Sequence, residues 1–181
     1  MLNWIDETKD YCFIRMFQNC ISLTTAPKLP AKTVAISAYV GLFIGCTSLT
    51  AAPELPATTL AKFCYTQMFY QCTALTTAPE LPATTLDNGC YQQMFYQCTA
   101  LTTAPELPAT TLVSDCYYQM FTYCSSLTSI NVNFTDWGSA NRVTTSWVFG
   151  VSSSGIFTKP SALAETYERS KIPTGWTVVN K

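Results

Sequence analysis

Cysteine is the residue type with the most chemical potential in this sequence, because nine residues are cysteines. Five of them recur at a step of 26 residues: Cys20, Cys46, Cys72, Cys98 and Cys124. Within one repeat, Cys90 and Cys98 would stand two helical turns apart, roughly 12 Å, which is too far for a disulfide. The spacing does not exclude a disulfide between neighbouring repeats, such as Cys72 to Cys98. We expect buried free thiols that pack as small apolar side chains.

Metal binding and catalysis find little support in the residue types. The sequence has no histidine and no Cys-x2-Cys pair, so the usual ligands of a zinc site are missing. It also lacks a Gly-rich phosphate loop and a nucleophile elbow. We therefore predict no catalytic residue, no metal and no cofactor, and we expect that the protein is not an enzyme.

Three glutamates form a second periodic row, because Glu54, Glu80 and Glu106 hold the same place in successive repeats. A pair of carboxylates can hydrolyse a glycosidic bond, but only when the two pKa values differ, and identical surroundings provide no such difference. Lys28 takes the equivalent place in the first repeat. The row is therefore either a solvated acidic edge or a binding site for a cation or a basic partner.

Hydroxyl and aromatic side chains also recur at the repeat step. Thr76 and Thr102 belong to a threonine row in the extended part of the repeat, and such a row suits either lateral hydrogen bonding or ligand contact. Tyr70 and Tyr96 lie among glutamines on what would be the outer face, where they are either surface decoration or contacts for a carbohydrate or a protein. These four residues join the three glutamates as candidate binding residues.

Charge and hydropathy narrow the range of partners. Ten Lys and Arg residues oppose eleven Asp and Glu residues without a basic run, so we do not expect nucleic acid as a partner. The apolar stretches are only a few residues long, whereas a membrane span needs roughly 20. No signal peptide is visible at the start. We expect an extracellular or cell-surface protein, or a virion component, and a cytoplasmic location stays open.

The elements that carry these rows follow from the repeat. Residues 64–89 and 90–115 are identical at 22 of 26 positions, so the two copies must be structurally interchangeable. We predict one domain with an N-terminal lead-in over residues 1–11, five repeats over residues 12–134 and degenerate capping coils over residues 135–181. Such repeats gain most of their stability by stacking on their neighbours.

Two periodicities alternate inside a repeat. Cys90, Met94, Cys98 and Leu101 fall at i, i+4, i+8 and i+11, which is one stripe of an α-helix. The segment after this stripe carries two prolines, which favour extended backbone. The sequence therefore predicts an α/β stack with short helices on one face and short extended strands on the other. We expect this stack to curve, because helices pack about 8 to 10 Å apart and strands near 4.8 Å.

The order of these motifs resembles the BspA-like leucine-rich repeats of bacterial surface proteins. The resemblance rests on Leu-x-x-Ala followed by proline and on the Met-Phe-x-x-Cys motif that ends the predicted helix, and it covers about residues 12 to 134. The repeat is longer than the family's usual unit, and Ala-Pro-Glu stands where a β-branched strand is usual. The resemblance implies a right-handed solenoid of the leucine-rich-repeat type that binds or adheres to a protein or glycan at a bacterial surface. A structural spacer and a receptor-binding component of a phage virion are the alternatives.

Overall fold

The computed structural model describes residues 6–181, so residues 1–5 of the expected lead-in lie outside the described residues. No helix occurs in residues 6–181, and the regular structure consists of five short strands. The predicted α/β solenoid with helices on one face is therefore wrong. Each repeat instead follows one coil of a stack, and backbone hydrogen bonds join each coil to the coil 26 residues further along the chain.

The segment predicted as a helix is a run of consecutive tight turns, which we call the turn row. In one repeat, the N–H groups of the even-numbered residues from 64 to 72 donate to the carbonyl three residues earlier, at 3.0 to 3.3 Å. The N–H groups of Phe63, Tyr65, Gln67, Phe69 and Gln71 donate to carbonyls of the next coil, at 2.8 to 3.0 Å. An α-helix would keep all of these bonds within one segment. In the turn row, every second backbone N–H group therefore donates to the next coil and not within its own coil.

A four-residue period explains why the turn row imitates a helix in the sequence. Two residues face the core, as Met68 and Phe69 do, and the next two face outward, as Tyr70 and Gln71 do. The resulting stripe at i, i+4 and i+8 is close to the 3.6-residue period of an α-helix over so short a segment. Coils on this side are joined by direct hydrogen bonds, so wide helix packing cannot be the source of the expected curvature.

Left-handed backbone recurs every fourth residue of the turn row. Phe63, Gln67 and Gln71 have φ of 57°, 57° and 60°, and each lies at the third position of a tight turn, as in a type II turn. In the second repeat two of the equivalent places are Gly41 and Gly45, with φ of 60° and 69°. Glycine adopts this conformation without steric cost, which explains why it replaces glutamine there.

The extended half of each coil forms only short parallel pairings. Strands β1 (Thr33–Val34) and β2 (Thr59–Leu60) pair with each other, and β3 (Ser129–Asn131), β4 (Ile156–Lys159) and β5 (Thr177–Asn180) form a three-stranded parallel sheet. Isolated bridges such as Ala51 to Thr77 and Thr103 to Ser129 join other coils. The longest strands lie towards the C-terminus, where the two-proline pattern of the repeats has ended.

Stacked rings form the centre of the core. Two columns run through successive coils at centroid spacings of 5.5 to 6.1 Å, and they consist of Phe13, Tyr39, Tyr65, Tyr91 and Tyr117, and of Phe17, Phe43, Phe69, Phe95 and Phe121. Leucines and cysteines of the repeats pack beside these columns. The inner rings of both columns are stacked on both faces by rings of the neighbouring coils, so the core is continuous along the stack.

Three tryptophans and one buried lysine form hydrogen bonds in the last described coils of the stack. The indole N–H groups of Trp137, Trp147 and Trp176 donate to backbone carbonyls at 2.8 to 2.9 Å. The ammonium of Lys159 is buried and donates to the carbonyl of Leu163 at 2.8 Å and to Asn180 Oδ1 at 2.9 Å. In residues 6–181 we find no helix with the length and apolar character needed to cross a bilayer.

Candidate functional site: a row of proline-lined grooves

Three neighbouring grooves open between successive coils on the extended side of the stack, and we call them the groove row. Their volumes are about 270, 440 and 350 Å³ in chain order. The middle and third grooves are lined by residues of the Ala-Pro-Glu-Leu-Pro segments of two adjacent coils, and the first groove has Lys28 in place of one glutamate. The middle groove is the largest and is lined by Ala52, Pro53, Glu54, Leu55, Pro56, Ala78, Pro79, Glu80 and Pro82.

Proline is the reason that the coils separate here. Pro79 and Pro82 have no backbone N–H and cannot donate to a neighbouring coil. Among the described residues, no backbone hydrogen bond joins residues 78–86 to residues 104–112. The turn row on the other side of the same coils is fully joined, so the stack is held together there and remains open along the prolines.

The three predicted glutamates all line the groove row. Glu54 and Glu80 lie on either side of the middle groove, and Glu80 and Glu106 on either side of the third. All three side chains are exposed. Glu106 differs from the others because its carboxylate lies 3.5 Å from the ammonium of Lys181 and accepts a hydrogen bond from Asn133 at 3.5 Å. Lys28 lines the first groove, opposite Glu54.

The two predicted threonines take part in contacts between coils. The hydroxyl of Thr76 donates to the carbonyl of Thr50 at 3.1 Å, and Thr128 donates in the same way to the carbonyl of Thr102 at 3.2 Å. Thr76 and Thr102 do not line the groove row. The threonine row therefore stabilises the stacking of coils by lateral hydrogen bonds, which was one of the two roles that the sequence left open.

The rings of the two predicted tyrosines stack face to face, so these two ring faces are not exposed to solvent. Tyr70 and Tyr96 lie 4.6 Å apart between centroids, with ring planes 1° from parallel. Beside them, Gln67 donates to Gln93 and Gln93 donates to Gln119, each at 2.8 Å, and Gln71 donates to Gln97 at 2.7 Å. On this face of the stack, the glutamine amides and the faces of the tyrosine rings make contacts between coils. The ring edges and the hydroxyl groups remain for contacts with a partner.

The cysteines form two internal columns of free thiols. Seven of the nine are buried, and only Cys12 and Cys20 are exposed. The four buried thiols of one column donate to the phenylalanine carbonyl of the preceding coil, as Cys98 does to Phe69 at 3.1 Å. Burial raises the pKa of Cys64, Cys72 and Cys116 to about 12, so these groups stay protonated and unreactive near neutral pH.

No group of three or more acidic, cysteine or histidine side chains within residues 6–181 is arranged to hold a metal ion. The residues that sequence reasoning missed are the groove walls, namely Pro53, Pro56, Pro79, Pro82 and the alanines beside them. Paired prolines at a constant 26-residue step were the available signal, because stacked coils without N–H donors cannot be joined at those positions.

Comparison with known proteins does not assign the chain, because no protein-family model, no curated protein and no solved structure matches it.

Proposed function

We propose that the protein is a non-catalytic binding or adhesion module, which presents the groove row as a repeated surface to a protein or a glycan. The observation that carries this proposal is the set of three neighbouring grooves, each built from equivalent segments of two adjacent coils. Apolar concave surfaces with a few polar groups are typical of ligand sites. The setting we propose, the surface of a bacterium or a virion, rests on the resemblance to BspA-like repeats.

The experiment is a glycan and protein array screen of the wild-type chain beside two variants. Ala78→Trp fills the groove row, because Ala78 lines both the middle and the third groove. Thr84→Trp adds the same ring at an exposed position outside the grooves and serves as the control. We expect array binding that Ala78→Trp abolishes and Thr84→Trp preserves. Binding that survives in both variants would place the site elsewhere.

A structural spacer is the second candidate function. It is favoured by the many polar side chains that already bond between coils, including the glutamine rows and the threonine row. A spacer would bind nothing on the arrays and would tolerate Ala78→Trp without any change except in stability.

A further inference from the structure

The last glutamate of the groove row already holds a cation. Lys181, the last residue of the chain, lies with its ammonium 3.5 Å from Glu106 Oε1 and donates to Asn131 Oδ1 at 2.7 Å. Asn133 donates to the same carboxylate oxygen at 3.5 Å. Lys181 lies outside the grooves, beside Asn131, and it shows that a glutamate of this row can pair with an ammonium group.

Glu54 and Glu80 occupy the equivalent places without such a partner. Within residues 6–181 neither carboxylate has an ion pair or a side-chain hydrogen bond. They lie on adjacent coils on either side of the middle groove, so their like charges repel each other. A cation between them would lower that repulsion for both.

The walls of the middle groove suit the stem of a basic side chain. Seven of its nine lining residues are proline, alanine or leucine, and the two others are the glutamates. Lysine and arginine bury their methylene stems on apolar surface while the charged head stays with a polar partner. The first groove does not offer the same pair of charges, because Lys28 lies where the second glutamate would be.

We propose that the middle groove binds a basic side chain, with arginine preferred over lysine, from an extended segment of a partner protein. The proposal rests on the proposed binding function and names the chemistry of its ligand. Arginine is preferred because its planar guanidinium offers five N–H donors, enough to reach both carboxylates together, whereas an ammonium is a point charge. The prolines contact the stem, and Glu54 and Glu80 hold the head.

The test uses short capped peptides as probes and the full chain as receptor. The first probe has the sequence Gly-Arg-Gly-Arg-Gly, and two matched peptides carry lysine or uncharged citrulline in place of arginine. Binding is measured by isothermal titration calorimetry at about 50 mM salt, where screening is modest. We expect affinity to fall from arginine to lysine and to be lost with citrulline.

Three variants locate the site on the wild-type background. Glu54→Gln combined with Glu80→Gln should weaken binding of the arginine peptide about tenfold. Glu106→Gln removes the same charge from the same repeat position but should change the affinity less than about twofold, because Lys181 already partners that carboxylate. Lys181→Gln should strengthen binding, because it releases Glu106 for the peptide.

The outcomes separate this inference from the proposed function. The double variant removes two charges and Glu106→Gln removes one, so a loss of binding free energy in Glu106→Gln about half that of the double variant would mean diffuse attraction to negative charge and would overturn the inference. An array ligand that Ala78→Trp abolishes but the double glutamine variant retains would mean a neutral ligand in the groove, so the binding function would stand without the basic partner. No affinity for the arginine peptide at all would also overturn the inference. Thermal melts verify that the variants remain folded.

Discussion

At the scale of single residues, position in the stack decides what a side chain can do. Cysteine shows this most directly, because identical residue types are exposed at Cys12 and Cys20 and buried in the other seven places. A buried thiol between coils is a small apolar group with one weak donor, whereas an exposed thiol can be alkylated or oxidised. We expected buried free thiols and left a disulfide between neighbouring repeats open; all nine cysteines are free in the structure, and seven of them are buried.

We predict that only two of the nine thiols react in the native protein. Labelling with a maleimide at pH 7 should modify Cys12 and Cys20, because the other seven have no access to solvent. The denatured, unreduced protein should take up nine labels. Mass spectrometry counts the labels in both states. Fewer than nine labels after denaturation would reveal disulfides and contradict the prediction.

Rising pH should begin to destabilise this protein at a lower pH than it does most proteins. Burial raises the pKa of Cys64, Cys72 and Cys116 from 9.0 to about 12 and that of Tyr39 from 10.0 to about 12. The unfolded chain therefore releases these protons first, from about pH 9 upward, and each group then favours unfolding by about 1.4 kcal/mol per pH unit until its folded pKa is reached. Stability should be full below pH 9 and fall steadily towards pH 12.

Guanidinium unfolding midpoints between pH 7 and 11 measure this loss. Cys72→Ala provides the comparison, because it removes one titrating group from the column. That variant should be less stable at pH 7, since it leaves a small cavity, but it should lose less stability as the pH rises. A midpoint that stays constant up to pH 11 would mean that the thiols and tyrosines are not buried as described.

At the scale of the elements, the turn row is where prediction from sequence failed. Its four-residue period places Cys64, Met68 and Cys72 on one stripe, and a helix does the same within so few residues. Glycine was the evidence against a helix in the sequence. Gly41, Gly45 and Gly89 lie at positions of the turn row that have positive φ, and a helix interior disfavours glycine. Hydrogen bonds from coil to coil leave no such trace in the residue types, so they could not have been predicted.

Glycine substitutions distinguish a turn row from a helix. Gly41→Ala should lower the free energy of unfolding by about 1 to 2 kcal/mol, because φ there is 60° and the new Cβ would lie 2.6 Å from Ile44 Cδ1. In a helix the same change would be stabilising by about 1 kcal/mol. Ser37→Gly, at φ of 52°, should be neutral or slightly stabilising for the converse reason. Urea denaturation measures both, and a stabilising Gly41→Ala would contradict the turn row.

The extended half of the coil was predicted better than the turn row. The paired prolines indicated extended backbone with very short strands, and the two-residue strands β1 and β2 agree with this. The candidate site was foreseen only in part. Glu54, Glu80 and Glu106 line the grooves, whereas Thr76, Thr102, Tyr70 and Tyr96 bond or stack between coils. Periodicity identified these rows, but it could not tell which of them had already found partners inside the stack.

At the scale of the whole molecule, stability is shared between neighbouring coils. Hydrogen bonds and ring contacts join residues about 26 apart along the sequence, so each coil depends on the two beside it. The array is therefore modular, so the number of repeats can change without a change of fold.

Deletion of residues 90–115 should leave a folded, shorter protein. The coil of residues 64–89 would then contact the coil that starts at Cys116, and Phe69 would stack on Phe121 as Phe95 does now, at about 5.7 Å. We expect one cooperative unfolding transition by circular dichroism, with a lower midpoint because one interface is lost. A ligand that spans several grooves should bind the shortened protein more weakly, because it meets fewer sites at high effective concentration. Loss of cooperative folding would contradict the modular stack.

The direction of the hydrogen bonds in the turn row gives the molecule an electrical polarity. At each junction five N–H groups of one coil point to carbonyls of the next, and Phe63 to Asn88 has the same sense as Tyr123 to Phe149. Peptide dipoles of about 3.5 D that share one sense add together, as they do along an α-helix, but here they accumulate across coils and not along one segment. The end that holds the first coil is therefore the negative pole. Each added repeat enlarges the dipole moment by a constant step, so a longer array exerts a stronger field on a charged partner that approaches along the stack axis.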